Sequence, residues 1–145
     1  MKFLSGNFGF LLLIVGYVIL GYSEACWADW TLFDRTENAD CYYDKEDITS
    51  SSSGTVSVWT KQVYSKEGIA EMVSKFGTRY ESLDHSINFL EFDCVGKIVL
   101  PLSIVYFSKN GGVLDTQEPG REWDFFLKGS MFDALYEKVC GSNRR

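Results

Sequence analysis

Few residues of this chain are equipped for chemistry. His85 is the single histidine, with Asp84 beside it in the sequence. A general base needs an oriented partner and a nucleophile within hydrogen-bond reach, and adjacency in sequence supplies neither. His85 therefore reads as a solvated histidine in the polar connector from Thr78 to Ser86. One histidine and four cysteines without CxxC spacing do not complete a zinc site. Asp44-Lys45-Glu46-Asp47 gathers carboxylates but lacks the alternate-position oxygens and central glycine of a calcium loop, so it reads as a wet turn. Gly111-Gly112 stands without the flanking glycines and lysine of a phosphate cradle. Carboxylates are plentiful, yet no spacing singles out a pair for hydrolysis. No catalytic residue, cofactor or metal is expected. What is left is aromatic: Trp30, Tyr42, Tyr43, Trp59 and Trp123. Exposed rings anchor protein interfaces, and Tyr42, Tyr43 and Trp59 are the candidate binding surface. The competing demand on the same rings is packing of the sheet's inner face.

The cysteines take their meaning from the N-terminus. Lys2, an apolar run from Phe8 to Leu20, and small or polar residues around Gly21 to Ala28 have the order of a secretory signal peptide. The run is shorter than the roughly 20 residues that span a bilayer as a helix; the competing reading is an uncleaved anchor extended through Tyr22. A cut after Ala25 leaves Cys26 first, and a cut after Ala28 leaves Asp29 first. The second is favoured. It removes Lys2 and Glu24, so the charge stays at −6. Ser23 and Glu24 before Cys26 do not fit a lipid-attachment signal. Outside the cytosol thiols oxidise. A cut after Ala28 leaves Cys41, Cys94 and Cys140, an odd number. The structural reading pairs Cys94, at the end of an apolar hairpin, with Cys140, which closes the last helical pattern. That leaves Cys41 as a buried, inert thiol; a cut after Ala25 would instead permit Cys26–Cys41.

The elements that must position these groups follow from periodicity. Ile87 to Phe107 reads as two strands joined at Val95-Gly96-Lys97, with Gly96 supplying a positive φ. Ile98, Leu100, Leu102, Ile104 and Tyr106 alternate and are expected on one face, as are Leu90, Phe92 and Cys94. Asp29 to Arg35, Cys41 to Tyr43 and Thr55 to Tyr64 read as further strands, with a turn at Asn38-Ala39-Asp40 and a loop at Ser50 to Gly54. Ile69, Met72, Val73 and Phe76 form a helical stripe that Ser65 caps and Gly77 ends. Asn110-Gly111 is a hairpin turn, with Val113 to Thr116 a short strand after it. Phe132, Leu135, Tyr136 and Val139 repeat as a second helix opened by Ser130 and Asp133 and stopped by Gly141.

The whole has 145 residues, a 46% apolar fraction and a net charge of −6, which suits one folded domain and disfavours a nucleic-acid partner. The expected fold is α+β: a largely antiparallel sheet of five or six strands, a C-terminal helix packed on it and one further short helix. Residues 1–28 are read as signal peptide, 29–141 as the domain and 142–145 as a loose tail.

One order of motifs is familiar. A Trp-containing first strand, Tyr42-Tyr43-Asp44, Val58-Trp59, Glu91 to Cys94, a strand ending in Tyr106, Trp123, Gly129-Ser130 and Val139-Cys140 follow one another. In this order and spacing the chain resembles the surface-adhesin protein E-like family of small exported bacterial domains, over Asp29 to Cys140. The resemblance implies an antiparallel sheet carrying the C-terminal helix, a Cys94–Cys140 bridge, and a non-catalytic binding module of the periplasm or outer surface. Its partner would be a protein, with a homodimer as one form and with the membrane met only through the signal peptide. The name-giving member adheres to host extracellular-matrix proteins and can dimerise. Cys41 lies outside the shared pattern and no lipid-attachment signal is present. The alternative is a periplasmic enzyme-associated or structural domain with an unrecognised site.

Overall fold

The structure is a computed structural model and describes residues 28–141; the leader, Cys26 and the 142–145 tail lie outside the described residues. Strands β1 (Trp30–Arg35), β2 (Ala39–Ser50), β3 (Thr55–Tyr64), β4 (Leu83–Asp93), β5 (Ile98–Ser108) and β6 (Val113–Gln117) form one antiparallel sheet in chain order. Neighbouring strands joined by short turns need no crossover. A two-residue strand, β7 (Asp124–Phe125), pairs with the start of β5. Helix α1 (Lys66–Phe76) and a 3₁₀ turn (Thr78–Tyr80) fill the β3–β4 connection, and α2 (Met131–Val139) closes the chain. The fold is the α+β arrangement read from the sequence, with the two-residue β7 added.

The helix signals act as their chemistry requires. Ser65 Oγ accepts the Gly68 N–H at 3.0 Å, and the Gly77 N–H donates to the Val73 carbonyl. Gly68 has a second reason to be glycine: a Cβ there would lie 2.1 Å from the Asn38 carbonyl oxygen. The helix start can meet the β1–β2 turn only without a side chain. At α2, Ser130 Oγ accepts the Asp133 N–H, while Asp133 Oδ2 accepts the Gly129 N–H at 2.7 Å. Leu135, Tyr136 and Val139 are buried. The Cys94–Cys140 disulfide holds the end of α2 to the end of β4, Cα atoms 5.5 Å apart. Tyr136 Oη also donates to the Cys94 carbonyl at 2.7 Å.

Both helices pack on one face of the sheet. Under α2 lies one apolar cluster that includes Tyr43, Val58, Leu90, Phe92 and Val99; under α1 and the 3₁₀ turn lies a second around Tyr80, Leu83 and Tyr106.

Several local readings are corrected. Asp44–Asp47 is no turn between elements: β2 runs through it as a wide bulge, four residues against Trp59 alone, and Asp44 is buried with Oδ1 accepting the Glu46 N–H. His85 lies in β4 rather than in a loop, between Val63 and Phe107. The positive φ of the β4–β5 turn falls on Lys97, not Gly96. Gly96 is there for closeness, since a Cβ would come within 2.8 Å of the Asp93 carboxylate, whose Oδ1 accepts the Val95 and Gly96 N–H groups. In β5 the expected single face does not hold. Leu102 is an extra residue between Ser103, opposite Phe89, and Pro101, opposite Leu90. One inserted residue reverses the alternation, so Ile98 and Leu100 face away from Ile104 and Tyr106.

Candidate functional site

Alternation along a strand that buries one face must place the intervening residues on the other. In β3, Val56, Val58 and Thr60 are buried, and Ser57, Trp59, Lys61 and Val63 are their half-exposed alternates. In β4, Ser86, Asn88, Leu90 and Phe92 go in, and His85, Ile87, Phe89 and Glu91 go out. Register joins the outward residues into rows. One runs Leu32, Tyr42, Lys61, Ile87, Val105 and Thr116 across β1 to β6. A second runs Asp40, Val63, His85, Phe107 and Val113. Between successive strands of this face Trp59 stacks on Phe89, centroids 4.5 Å apart, and His85 stacks on Phe107 at 4.9 Å. None of these residues belongs to either core cluster. Among the described residues no helix covers this face. It is an aromatic and branched-aliphatic surface with charged groups, Arg35, Asp40 and Lys61, set among the apolar ones.

The sequence candidates separate here. Tyr42 and Trp59 lie on this open face, joined by Phe89, Phe107 and His85, which sequence reasoning did not select. Tyr43 does not. It is 8% exposed on the helical side, edge-on to Phe33 with centroids 5.9 Å apart. The period of two sends adjacent tyrosines to opposite faces, and the register shift that leaves Phe33 opposite no residue of β2 brings Phe33 in beside it. Trp30, two positions from Leu32, shares the open face, whereas Trp123 stands just before β7. Cys94 and Cys140 are joined and serve the fold rather than this surface.

The strand edges are poorer docking sites than the face. Along the side of β5 that faces away from β4, β7 pairs as far as Val99 and the pairing with β6 starts at Ile104, opposite Gln117. The gap between them holds Pro101, which has no N–H, and the Leu102 bulge. At the other edge β1 is six residues long and bulged at Phe33. Proline, bulges and shortness all blunt an edge against strand addition.

The titratable groups support structure. His85 Nδ1 lies 2.7 Å from Asp84 Oδ2, with no nucleophile beside it in the hydrogen-bond network. Cys41 is a free thiol, 1% exposed; burial first, then Asp34 and Asp40, pushes it up to about 11, so it stays protonated and unreactive. Tyr80, also fully enclosed, is pushed up to about 12 by burial and donates to Asp115 Oδ2 at 2.6 Å. That bond, with a lesser one from Gln117, holds the Asp115 carboxyl below its usual range, and Arg79 pairs with it at 3.1 Å. Among the described residues no three His, Cys, Asp or Glu side chains gather to hold a metal ion, and no helix is long and apolar enough to cross a membrane.

Comparison with known families gives one match: the model of the family described as surface-adhesin protein E covers residues 30–141. No curated protein and no solved structure matches the chain.

Proposed function

The chain belongs to the surface-adhesin protein E family, and from that premise we propose that it is an exported, non-catalytic adhesion module that binds a protein partner through the open face of its sheet. The observation that carries this reading is the uncovered aromatic surface built on Trp59, Phe89, Tyr42 and Phe107. Rings of this kind bring large contact area at low cost in side-chain entropy, and they dominate the energetics of protein interfaces. The rings on this face are half-buried, and Leu32 and Val113 at its ends are exposed.

The remaining parts of the reading rest on the sequence. The leader directs export, the domain spans 29–141, and the oxidised Cys94–Cys140 bond suits a compartment outside the cytosol. The outer cell surface is the site that an adhesin requires. Host extracellular-matrix proteins are the partners of the member that gives the family its name and are the partners proposed here, with a second copy of the chain as the other.

The test is retention of the oxidised protein on a panel of purified, immobilised extracellular-matrix proteins, paired with protease treatment of intact cells. Saturable binding to a panel member and loss of the protein on shaving support surface adhesion. Survival of the protein on intact cells, with release only after the outer envelope is opened, would place it in the periplasm and remove the adhesion reading.

A further inference from the structure

On the helical side of the sheet the two apolar clusters do not merge. Between them the inward positions of β3 and β4 are polar: Thr60, Gln62, Ser86 and Asn88. A cleft of about 80 Å³ opens over this strip, floored by Gln62, Tyr64, Asn88 and Leu90 and walled by Met131 and Phe132 from the first turn of α2. By the volume one water needs, that is room for about five waters, or for the inner edge of a ring that enters from the open mouth.

Asn88 is the informative residue. It is 5% exposed, and its one hydrogen bond runs from Nδ2 to Thr60 Oγ1 at 3.2 Å. Its carbonyl oxygen accepts nothing from the described residues. No side-chain nitrogen or oxygen among them is both fully enclosed and unpartnered, so the free end of this amide reaches the cleft that Asn88 lines. The amide is thus half-bound by the protein, and its oxygen is open to a donor in the cleft. Gln62 adds a second amide: Oε1 accepts from Tyr64 Oη at 3.2 Å, and Nε2 meets only the Met131 sulfur. Tyr64 remains a neutral phenol, since burial pushes it up to about 12. Among the described residues no charged side chain lines the cleft, so an ion entering it would lose water without gaining a counter-charge from them. Leu90, Ile104 and Phe132 offer apolar walls.

We propose that this cleft binds a small uncharged molecule that joins an apolar ring or branched chain to a hydrogen-bond donor, a primary amide or an alcohol, the donor meeting Asn88 Oδ1 and the ring lying against Ile104 and Phe132. The site lies on the side of the sheet opposite the adhesion face, so it stands or falls separately from that reading.

The test titrates benzamide and benzyl alcohol into the oxidised protein, with benzoate and benzylammonium as charged counterparts, while NMR follows the Met131 methyl and the Asn88 side-chain amide. The neutral probes should give saturable shifts at both groups with Kd on the order of a millimolar, and the charged ones at least about tenfold weaker binding. Asn88→Leu should weaken benzamide about tenfold or more. Met131→Trp, which fills the cleft from its wall and removes the sulfur that Gln62 Nε2 meets but keeps the Asn88–Thr60 hydrogen bond, should abolish saturation and keeps the test decisive if Asn88→Leu does not fold. No saturation with any probe, equal binding of benzoate and benzamide, or unchanged binding in Met131→Trp would each overturn the site.

Discussion

Trp59 stacks on Phe89 across the β3–β4 pair, ring centroids 4.5 Å apart, on the face of the sheet that neither helix covers. Trp59 is also the one residue of β3 that stands against the wide Asp44–Asp47 bulge of β2. The bulge flanks the half-buried indole on the β2 side, and the stack with Phe89 holds it on the β4 side. The outcome is a ring that is fixed in position and still accessible, the combination that makes an aromatic side chain an effective anchor.

Adjacent tyrosines should behave differently. Tyr43 sits in the core beside Phe33, Val58 and Leu90, so Tyr43→Ala is expected to cost about 3–5 kcal/mol of unfolding free energy. Tyr42→Ala loses cross-strand contact on the open face and should cost about 1 kcal/mol or less, while weakening partner binding. Urea denaturation of the two variants checks the contrast, and equal losses would mean that the two side chains do not divide between faces.

Removing the disulfide should be far more damaging than removing the free thiol. Cys94 and Cys140 are 46 positions apart, and opening a loop of that length should cost about 4 kcal/mol in the loop-entropy account. Cys41→Ser exchanges one small buried group for another and should cost about 1–2 kcal/mol, from an added buried hydroxyl. Native Cys41 should also resist iodoacetamide until the protein is unfolded. Matching melting temperatures for Cys94→Ser and Cys41→Ser would contradict the assignment.

Gly68→Ala tests the close approach of α1 to the β1–β2 turn. Helix propensity alone favours alanine by about 1 kcal/mol. A Cβ 2.1 Å from the Asn38 carbonyl oxygen demands backbone movement, so a net loss of about 1–3 kcal/mol is expected. A stabilised variant in thermal denaturation would show that the helix start is not in contact with Asn38.

The Tyr80–Asp115 pair sets a dependence on pH at both ends. The Asp115 carboxyl is held below its ordinary value by Tyr80 and Gln117, so its contribution is complete above about pH 4 and is lost as pH falls through the lowered value. Tyr80 is raised from 10.0 to about 12 by burial and by Asp115. Its contribution is complete below 10.0 and is lost as pH climbs toward about 12. Stability against pH, read by urea midpoint, should fall at both limits, and Asp115→Asn should flatten the acid limb. An unchanged acid limb in that variant would remove Asp115 from the account.

Much of the scaffold was legible because its signals are local. Thr55–Tyr64 is the strand that its β-branched and aromatic run requires, and Ser65 and Gly77 bound α1 through hydrogen bonds that those residue types make. Cys94 and Cys140 could be paired from the ends of two elements that had to meet. The surface was less legible because faces depend on register, and register here is reset at Phe33, at Asp44–Asp47 and at Leu102. Nothing in those residues' types announces an inserted position, so alternation alone puts Leu100 on a face with Ile104; for Tyr42 and Tyr43 it separates the two but does not say which one faces the helices. His85 looked like a loop residue for its polar neighbours, although its ring lies on Phe107. Tyr80 carries no local signal, since its partners Tyr106 and Asp115 lie far along the chain, Asp115 being 35 positions away.

The central claim, that the open face carries adhesion, is tested most directly by surface plasmon resonance on the extracellular-matrix protein the native chain retains, comparing the Trp59→Ser, Phe89→Ser double variant with Met131→Trp on the opposite side, both first shown folded by circular dichroism. The account predicts a loss of affinity of about thirtyfold or more for the double variant and native affinity for Met131→Trp. Native affinity in the double variant, or a loss confined to Met131→Trp, would contradict it.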